Sequence, residues 1–217
     1  MKTAVIAGAS GLVGKQVMFK LLESPLYTRV VALVRKKMPL RHEKLMQLEI
    51  EYDRLQDYKY QIFGDDFFCC LGTTIKQAGS KEAFYKVDFS YCYELAKIAS
   101  ANRAHHFLLV SAVGADANSP IFYSKVKGEL EEAVARLDFP HFEVFRPSFL
   151  MGNRLQTRLG EQVGIKLAKA ISPLMVGNLN KYRPIEASQV ANAMVVAAQE
   201  DSDKKVKTYT FAEMMSH

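Results

Sequence analysis

The sequence predicts an α/β protein with one doubly wound parallel sheet, a Rossmann fold. Short apolar runs such as Ala4–Ala7, Val30–Val34 and Phe107–Val110 are continuous rather than alternating, as strands buried on both faces are. Segments of helical periodicity separate them, so strand and helix alternate along the chain. At the first strand–helix junction stands a glycine turn, Gly8, Gly11 and Gly14 in G-x-x-G-x-x-G spacing.

The turn defines the first expectation. After the strand Ala4–Ala7, a helix begins with Val13, Val17 and Leu21 on one stripe. A helix N-terminus with free backbone N–H groups, opened by glycines, is an anion site suited to a pyrophosphate. Gly8 permits the tight turn, Gly11 a close approach of backbone to ligand, and Gly14 close packing of helix on strand. That helix stops at Ser24-Pro25, and the second strand, Val30–Val34, runs into Arg35-Lys36-Lys37. Arg35 lies 21 residues past Gly14, where a dinucleotide fold meets the adenosine ribose. An acidic residue there would suit a free 2′-hydroxyl, whereas a guanidinium grips a 2′-phosphate, which favours NADP (NADPH). A solvated basic strand end is the alternative.

Met46–Tyr52 reads as a short third strand, followed by a helical turn at Asp53–Leu55. Asp66 to Leu71 forms the fourth, with Gly72-Thr73-Thr74 as its carboxyl-end loop. Cys69 and Cys70 point to opposite faces and, with Cys92, read as packing residues. A helix spans Glu82–Ala101 and carries Asp88 either on an exposed face or beside the cofactor. His105-His106 opens the strand Phe107–Val110; strand neighbours diverge, so the pair is not expected to chelate one metal ion, and no metal site is expected. A helix from about Ile121 to Leu137 and a strand Phe142–Phe145 follow. Gly152–Ala170 reads as a basic amphipathic helix, Ile185–Ala198 leads into another helix, and Val206–Phe211 supplies a last strand. All 217 residues thus read as a single domain (1–217), with about 147–185 contributing the substrate-side cleft wall.

The composition excludes several classes. Three cysteines, two of them adjacent, cannot staple a secreted disulfide framework. The N-terminal apolar run is too short for a signal peptide, and no stretch reaches the roughly 18 residues of a membrane span. A reducing cytoplasm is the expected compartment. The net charge of +6 suits an anionic ligand, but the basic residues are scattered, and nucleic acid is not an expected partner.

A candidate reaction centre follows the fifth strand. Ser111 closes that strand, and twelve residues later Tyr123 and Lys127 share a helix face at i, i+4. A phenol with a reference pKa of about 10 is a poor acid–base at neutral pH. A cation within about 4–6 Å favours the phenolate, and Lys127 is spaced to provide one. Ser111 would hold the substrate oxygen against Tyr123, which gives or takes the proton while hydride passes to or from the nicotinamide.

Gly8, Gly11 and Gly14, Ser111, Tyr123 with Lys127, and Arg146-Pro147 together resemble the short-chain dehydrogenase/reductase superfamily in its extended or atypical branch. More narrowly, Cys69-Cys70-Leu71-Gly72-Thr73-Thr74, Lys86-Val87-Asp88, Val126-Lys127-Gly128-Glu129 and Val144-Phe145-Arg146-Pro147 are similar to the Tat-interacting-protein group. The resemblance implies NADPH bound with Gly8, Ser10, Gly11, Leu12 and Val13 on the pyrophosphate and Arg35 and Lys36 on the 2′-phosphate. It further implies Leu71, Gly72 and Thr73 beside the adenosine and ribose, Tyr123 and Lys127 at the reacting end, and Ser148 near the nicotinamide. Glu51 stands where many relatives carry an aspartate, and Asp88 where many superfamily members carry an asparagine. The expected function is an NADPH-dependent oxidoreductase acting on a small carbonyl substrate. The alternative is an NADPH-binding regulatory or redox-sensing module that acts through protein partners or as a homodimer.

Overall fold

The computed structural model describes residues 1–151, 177–200 and 203–216. β1 (Lys2–Ala7) leads through the glycine turn into α1 (Leu12–Glu23), then β2 (Tyr27–Val34), β3 (Leu45–Glu49) and a 3-10 segment, Tyr52–Tyr58. β4 (Asp66–Cys69) is followed by two short helices, α2 (Ile75–Ala78) and α3 (Lys81–Tyr85). A wide π turn, Lys86–Tyr91, joins α3 to α4 (Cys92–Ala101). β5 (His106–Val110), α5 (Phe122–Ala135) and β6 (His141–Phe145) continue the alternation. The rest of the described chain contains β7 (Leu150–Met151), β8 (Ile185–Glu186), α6 (Ala187–Ala197), β9 (Val206–Tyr209) and α7 (Phe211–Met215). The expected basic helix Gly152–Ala170 lies outside the described residues.

The main sheet has seven strands in the order β3-β2-β1-β4-β5-β6-β9, and every pairing in it is parallel. This is the predicted Rossmann architecture. The order reverses between β1 and β4, and the crevice outside the carboxyl ends of those strands is where such sheets bind ligands. Side chains of β1 alternate between two cores. Ala4 and Ile6 pack with α1 and α6, while Val5 and Ala7 pack with α4 and α5. Burial on both faces explains why the strands read as continuous apolar runs. Cys69 joins one core and Cys70 packs against the other, as alternation requires. A hydrogen bond with Cys69, then burial, holds the Cys92 thiol well above its ordinary value, so these cysteines are packing residues.

Two local outcomes depart from the expected elements. The helix expected over Glu82–Ala101 is interrupted at the π turn, whose two ends converge on Asp53: Lys86 pairs with it at 2.6 Å, and the Tyr91 hydroxyl donates to it at 2.8 Å. His105 and His106 were expected to diverge, yet their rings lie 4.7 Å apart and meet the His141 ring. The reason is that β5 begins at His106, so His105 belongs to the preceding turn, where strand alternation does not apply.

The glycine turn is fixed by backbone contact. Gly8 has φ +84°, and a Cβ there would lie 2.5 Å from the Cys70 carbonyl oxygen. A Cβ on Gly14 would lie 2.2 Å from the Gly8 carbonyl oxygen, so α1 rests directly on the turn. Gly79, at the end of α2, also has a left-handed φ of +88° but open space around it. Gly79→Ala should therefore cost about the 1–2 kcal/mol of left-handed strain, and Gly8→Ala distinctly more because backbone must also move. Urea denaturation of both variants checks this; equal losses would contradict the close approach at Gly8.

Candidate functional site

The site assembles along the carboxyl edge from the glycine turn outward. α1 begins at Leu12 with Gly11 as its cap residue, no side chain caps it, and its first turn carries no acidic group. Its N-terminal amides are thus not taken up by a side-chain cap, and a helix start of this kind is suited to an anion. The Gly11 amide donates to the Gly8 carbonyl at 2.8 Å, which closes the turn. Because the Cys70 amide donates to Ala7 at 2.9 Å, the loop after β4 is locked beside this turn. Leu71, Gly72 and Thr73 continue that loop. Arg35 and Lys36 stand exposed just past β2 and are in no ion pair among the described residues.

Beyond the loop lies a buried ion pair. Lys127, on α5, points its Nζ to Asp88 Oδ1 at 2.8 Å, and Asp88 Oδ2 accepts the Thr73 amide at 2.8 Å. Both residues are buried, at 3% and 0% exposure. Gly72 covers the pair: a Cβ there would meet Asp88 Oδ1 at 3.5 Å and Lys127 Nζ at 3.8 Å. Burial disfavours the Lys127 cation, but Asp88 and then Tyr123 outweigh it, and the ammonium is held above the ordinary lysine value. Of the two placements read for Asp88, the exposed one is excluded. The π turn carries the carboxylate inward, and nothing in helical periodicity signals such a turn.

Tyr123 occupies the first turn of α5, half-buried, with its ring 5.5 Å from that of Phe84. The loop from Ser111 to Ile121 crosses α5 at Gly128, where a Cβ would lie 2.1 Å from the Ala117 amide nitrogen. Gly128 thereby sets the height of that loop over Tyr123 and Lys127.

Ser111 is placed differently from the expectation. Its hydroxyl donates to Glu131 Oε1, on the next turn of α5 after Lys127. Glu131 is clamped by Arg146, whose Nε lies 3.2 Å from both carboxylate oxygens. A buried carboxylate takes every donor in reach, so the Ser111 proton points into the fold. Sequence reasoning missed Glu131, although its i+4 spacing from Lys127 was legible. Ser148 donates its hydroxyl to the Arg183 carbonyl, joining the segment before β7 to the segment before β8.

Asp88→Ala at pH 7 should cost about 3–5 kcal/mol, because it strands a buried ammonium. The double variant Asp88→Ala with Lys127→Met should recover much of that loss in urea denaturation; losses that simply add would contradict a coupled pair. The folded-state pKa of Lys127 is raised, so its contribution is complete below about pH 10.4 and fades only as pH rises through the higher folded value.

The sheet order, switch-point crevice and glycine turn are those of the short-chain dehydrogenase/reductase class. Protein HTATIP2 of Rattus norvegicus is 37% identical over 169 residues, covering 76% of this chain and 69% of the relative. Protein FMP52-1, mitochondrial, of Scheffersomyces stipitis is 34% identical over 211 residues, covering 93% and 90%. The chain belongs to this HTATIP2 and FMP52 family of atypical members of the superfamily. No protein-family model matches it. Among solved structures, MoeE5 in complex with UDP-glucose and NAD superposes with a TM-score of 0.69 at 13% identity, covering 99% of this chain and 80% of that one. The UDP-Glc/GlcNAc 4-epimerase of Campylobacter jejuni reaches 0.70 at 12%, covering 100% and 82%. At such identities these likenesses establish the fold alone. One expectation is overturned: a cytoplasmic location does not stand, because the yeast FMP52 relatives, from Scheffersomyces stipitis and Candida albicans among others, are named as mitochondrial. No helix among the described residues is long and apolar enough to cross a membrane.

Proposed function

We propose that the protein is an NADPH-dependent oxidoreductase that reduces a small carbonyl compound. The observation that carries this reading is the buried Lys127 ammonium, tied to Asp88 and interacting with Tyr123, at the far end of a crevice that starts at an uncapped helix. The similarity of the fold to MoeE5 and to the Bordetella bronchiseptica enzyme WbmH, both described in complex with NAD, supports a dinucleotide in that crevice.

In this reading the amides of Leu12 and Val13, with Gly8, Ser10 and Gly11, receive the pyrophosphate. Leu71, Gly72 and Thr73 flank the adenosine and ribose. Arg35 and Lys36 take the 2′-phosphate, since both are exposed at the strand end that faces it. The cofactor supplies hydride chemistry when bound. Tyr123 donates a proton to the substrate oxygen, and the cation of Lys127 stabilises the phenolate left behind. Asp88 fixes the direction of Lys127 and, through the Thr73 amide, the loop beside the cofactor. Ser111, whose own proton is held by Glu131, offers its oxygen as an acceptor and so steadies the hydroxyl of the alcohol product rather than the carbonyl of the substrate; Ser148 lines the nicotinamide end.

One observation favours a second reading. Lys127 is committed to Asp88 and Ser111 to Glu131, so both polar groups are satisfied within the fold. A module that binds NADPH and signals through a protein partner needs no more than that.

Isothermal titration should give at least tenfold tighter binding of NADPH than NADH, and Arg35→Ala should remove most of the gap; equal affinities would overturn the 2′-phosphate assignment. On a panel of aldehydes, ketones and quinones, NADPH oxidation should collapse in Tyr123→Phe while cofactor binding persists. Undiminished turnover in that variant would overturn the role of Tyr123. Tight NADPH binding with no turnover by the parent protein would establish the second reading.

A further inference from the structure

The carboxyl edge of the sheet holds the crevice; the amino edge, at the other end of the same strands, holds a separate cluster of imidazoles. In the parallel register of β5 and β6, His106 sits opposite His141, and the His141 amide donates to the His105 carbonyl at 3.1 Å. The rings of His106 and His141 stack at 4.7 Å and 19°. The His105 ring closes the group, 4.7 Å from that of His106 and 4.9 Å from that of His141. One ligating atom from each of the three lies within 4.8 Å of the others.

A second observation points to a ligand. Glu143, two residues past His141 and on the same strand face, is buried, and its Oε1 lies 2.9 Å from His106 Nδ1. Its Oε2 is buried and has no hydrogen-bond partner among the described residues. A carboxylate on Nδ1 fixes the imidazole tautomer and leaves Nε2 with its lone pair, the arrangement that supports metal-bound histidines. It also gives a buried negative charge an incentive to recruit a cation. Lys207 is opposite Glu143 in the sheet register and its charge acts on that carboxylate, although its ammonium lies over the Tyr209 ring at 4.6 Å.

We propose that His105, His106 and His141 form a site for one divalent transition-metal ion of the zinc class, with Glu143 as the carboxylate behind His106. Imidazole nitrogen selects zinc, cobalt, nickel or copper over magnesium and calcium. Three histidines leave a fourth position for water, and exposed His105 provides the path of entry. Bonds of about 2.0–2.1 Å place tetrahedral ligand nitrogens roughly 3.3 Å apart. The cluster therefore contracts on binding: His105, lying in the turn before β5, swings inward, and the stacked rings of His106 and His141 tilt so that their in-plane lone pairs converge.

The test is titration of the metal-free full-length protein with Zn2+ alone, followed by calorimetry, and with Co2+ alone, followed by its visible absorption. The expected result is one equivalent bound, with tetrahedral Co2+ bands and a melting temperature that rises with metal concentration. His105→Ala and His141→Gln should each weaken binding at least tenfold, and Glu143→Gln should weaken it by about 10–100-fold. His42→Ala should change nothing. His105 is exposed, so its variant keeps the fold and remains decisive even if His141→Gln or Glu143→Gln fails to fold. No binding, or affinity unchanged in His105→Ala, would overturn the site and leave the rings as packing. NADPH binding is read separately, since the cluster and the crevice lie on opposite edges.

Discussion

The contact between Asp88 and Lys127 is the constraint around which the carboxyl edge is arranged. It holds together three segments far apart in sequence: the loop after β4 through the Thr73 amide, the π turn, and α5. Taking two charges out of water is costly, and a buried pair of this kind does little more than break even as a source of stability. What it contributes is direction. With both groups inside, neither tolerates displacement, and the loop and helix that border the crevice inherit that intolerance. Gly72 follows from the same constraint, because its lack of a side chain lets the loop lie on the pair.

The sheet separates two polar rows by an apolar middle. At the carboxyl edge stand Ser111, Glu131, Asp88 and Lys127. At the amino edge, Asp66 accepts the Tyr27 hydroxyl at 2.6 Å and pairs with Lys2 at 3.1 Å, beside the histidines and Glu143. Between them, Ala4, Ile6, Phe68 and Leu108 fill one face, and Val5, Phe67 and Phe107 the other. Strands of four to six residues keep these rows apart, so charge changes at one edge are poorly felt at the other through the low-dielectric core.

Features set by local pattern were legible in the sequence, and those set by register or by irregular backbone were not. Continuous apolar runs revealed the strands, since burial on both faces removes alternation. The glycine spacing revealed the turn, because Gly8 must be left-handed and Gly14 must lie against it. Tyr123 and Lys127 were legible because α5 is regular and holds them on one face. Asp88 was not, since its inward turn depends on a π segment that no periodicity announces. The histidine group was hidden for another reason: it depends on which residue of β6 pairs with which of β5, and on β5 starting one residue after His105. The Ser111 hydroxyl was misdirected because its partner, Glu131, read as one more charge on a helix rich in them.

The π turn between α3 and α4 has one more consequence. Such a segment amounts to one extra residue in an otherwise continuous helix, and each residue of an α-helix advances the face by about 100°. Removing one residue between 86 and 91 would let the helix run straight with its two flanks still in phase, because the wide turn is what absorbs the extra residue. Phe84 and Cys92, both buried on either side of the turn, would then stand about two full turns apart and still share the inward face; what would be lost is the inward excursion that brings Asp88 to Lys127. The extra residue therefore serves the buried ion pair rather than the helices on either side of it.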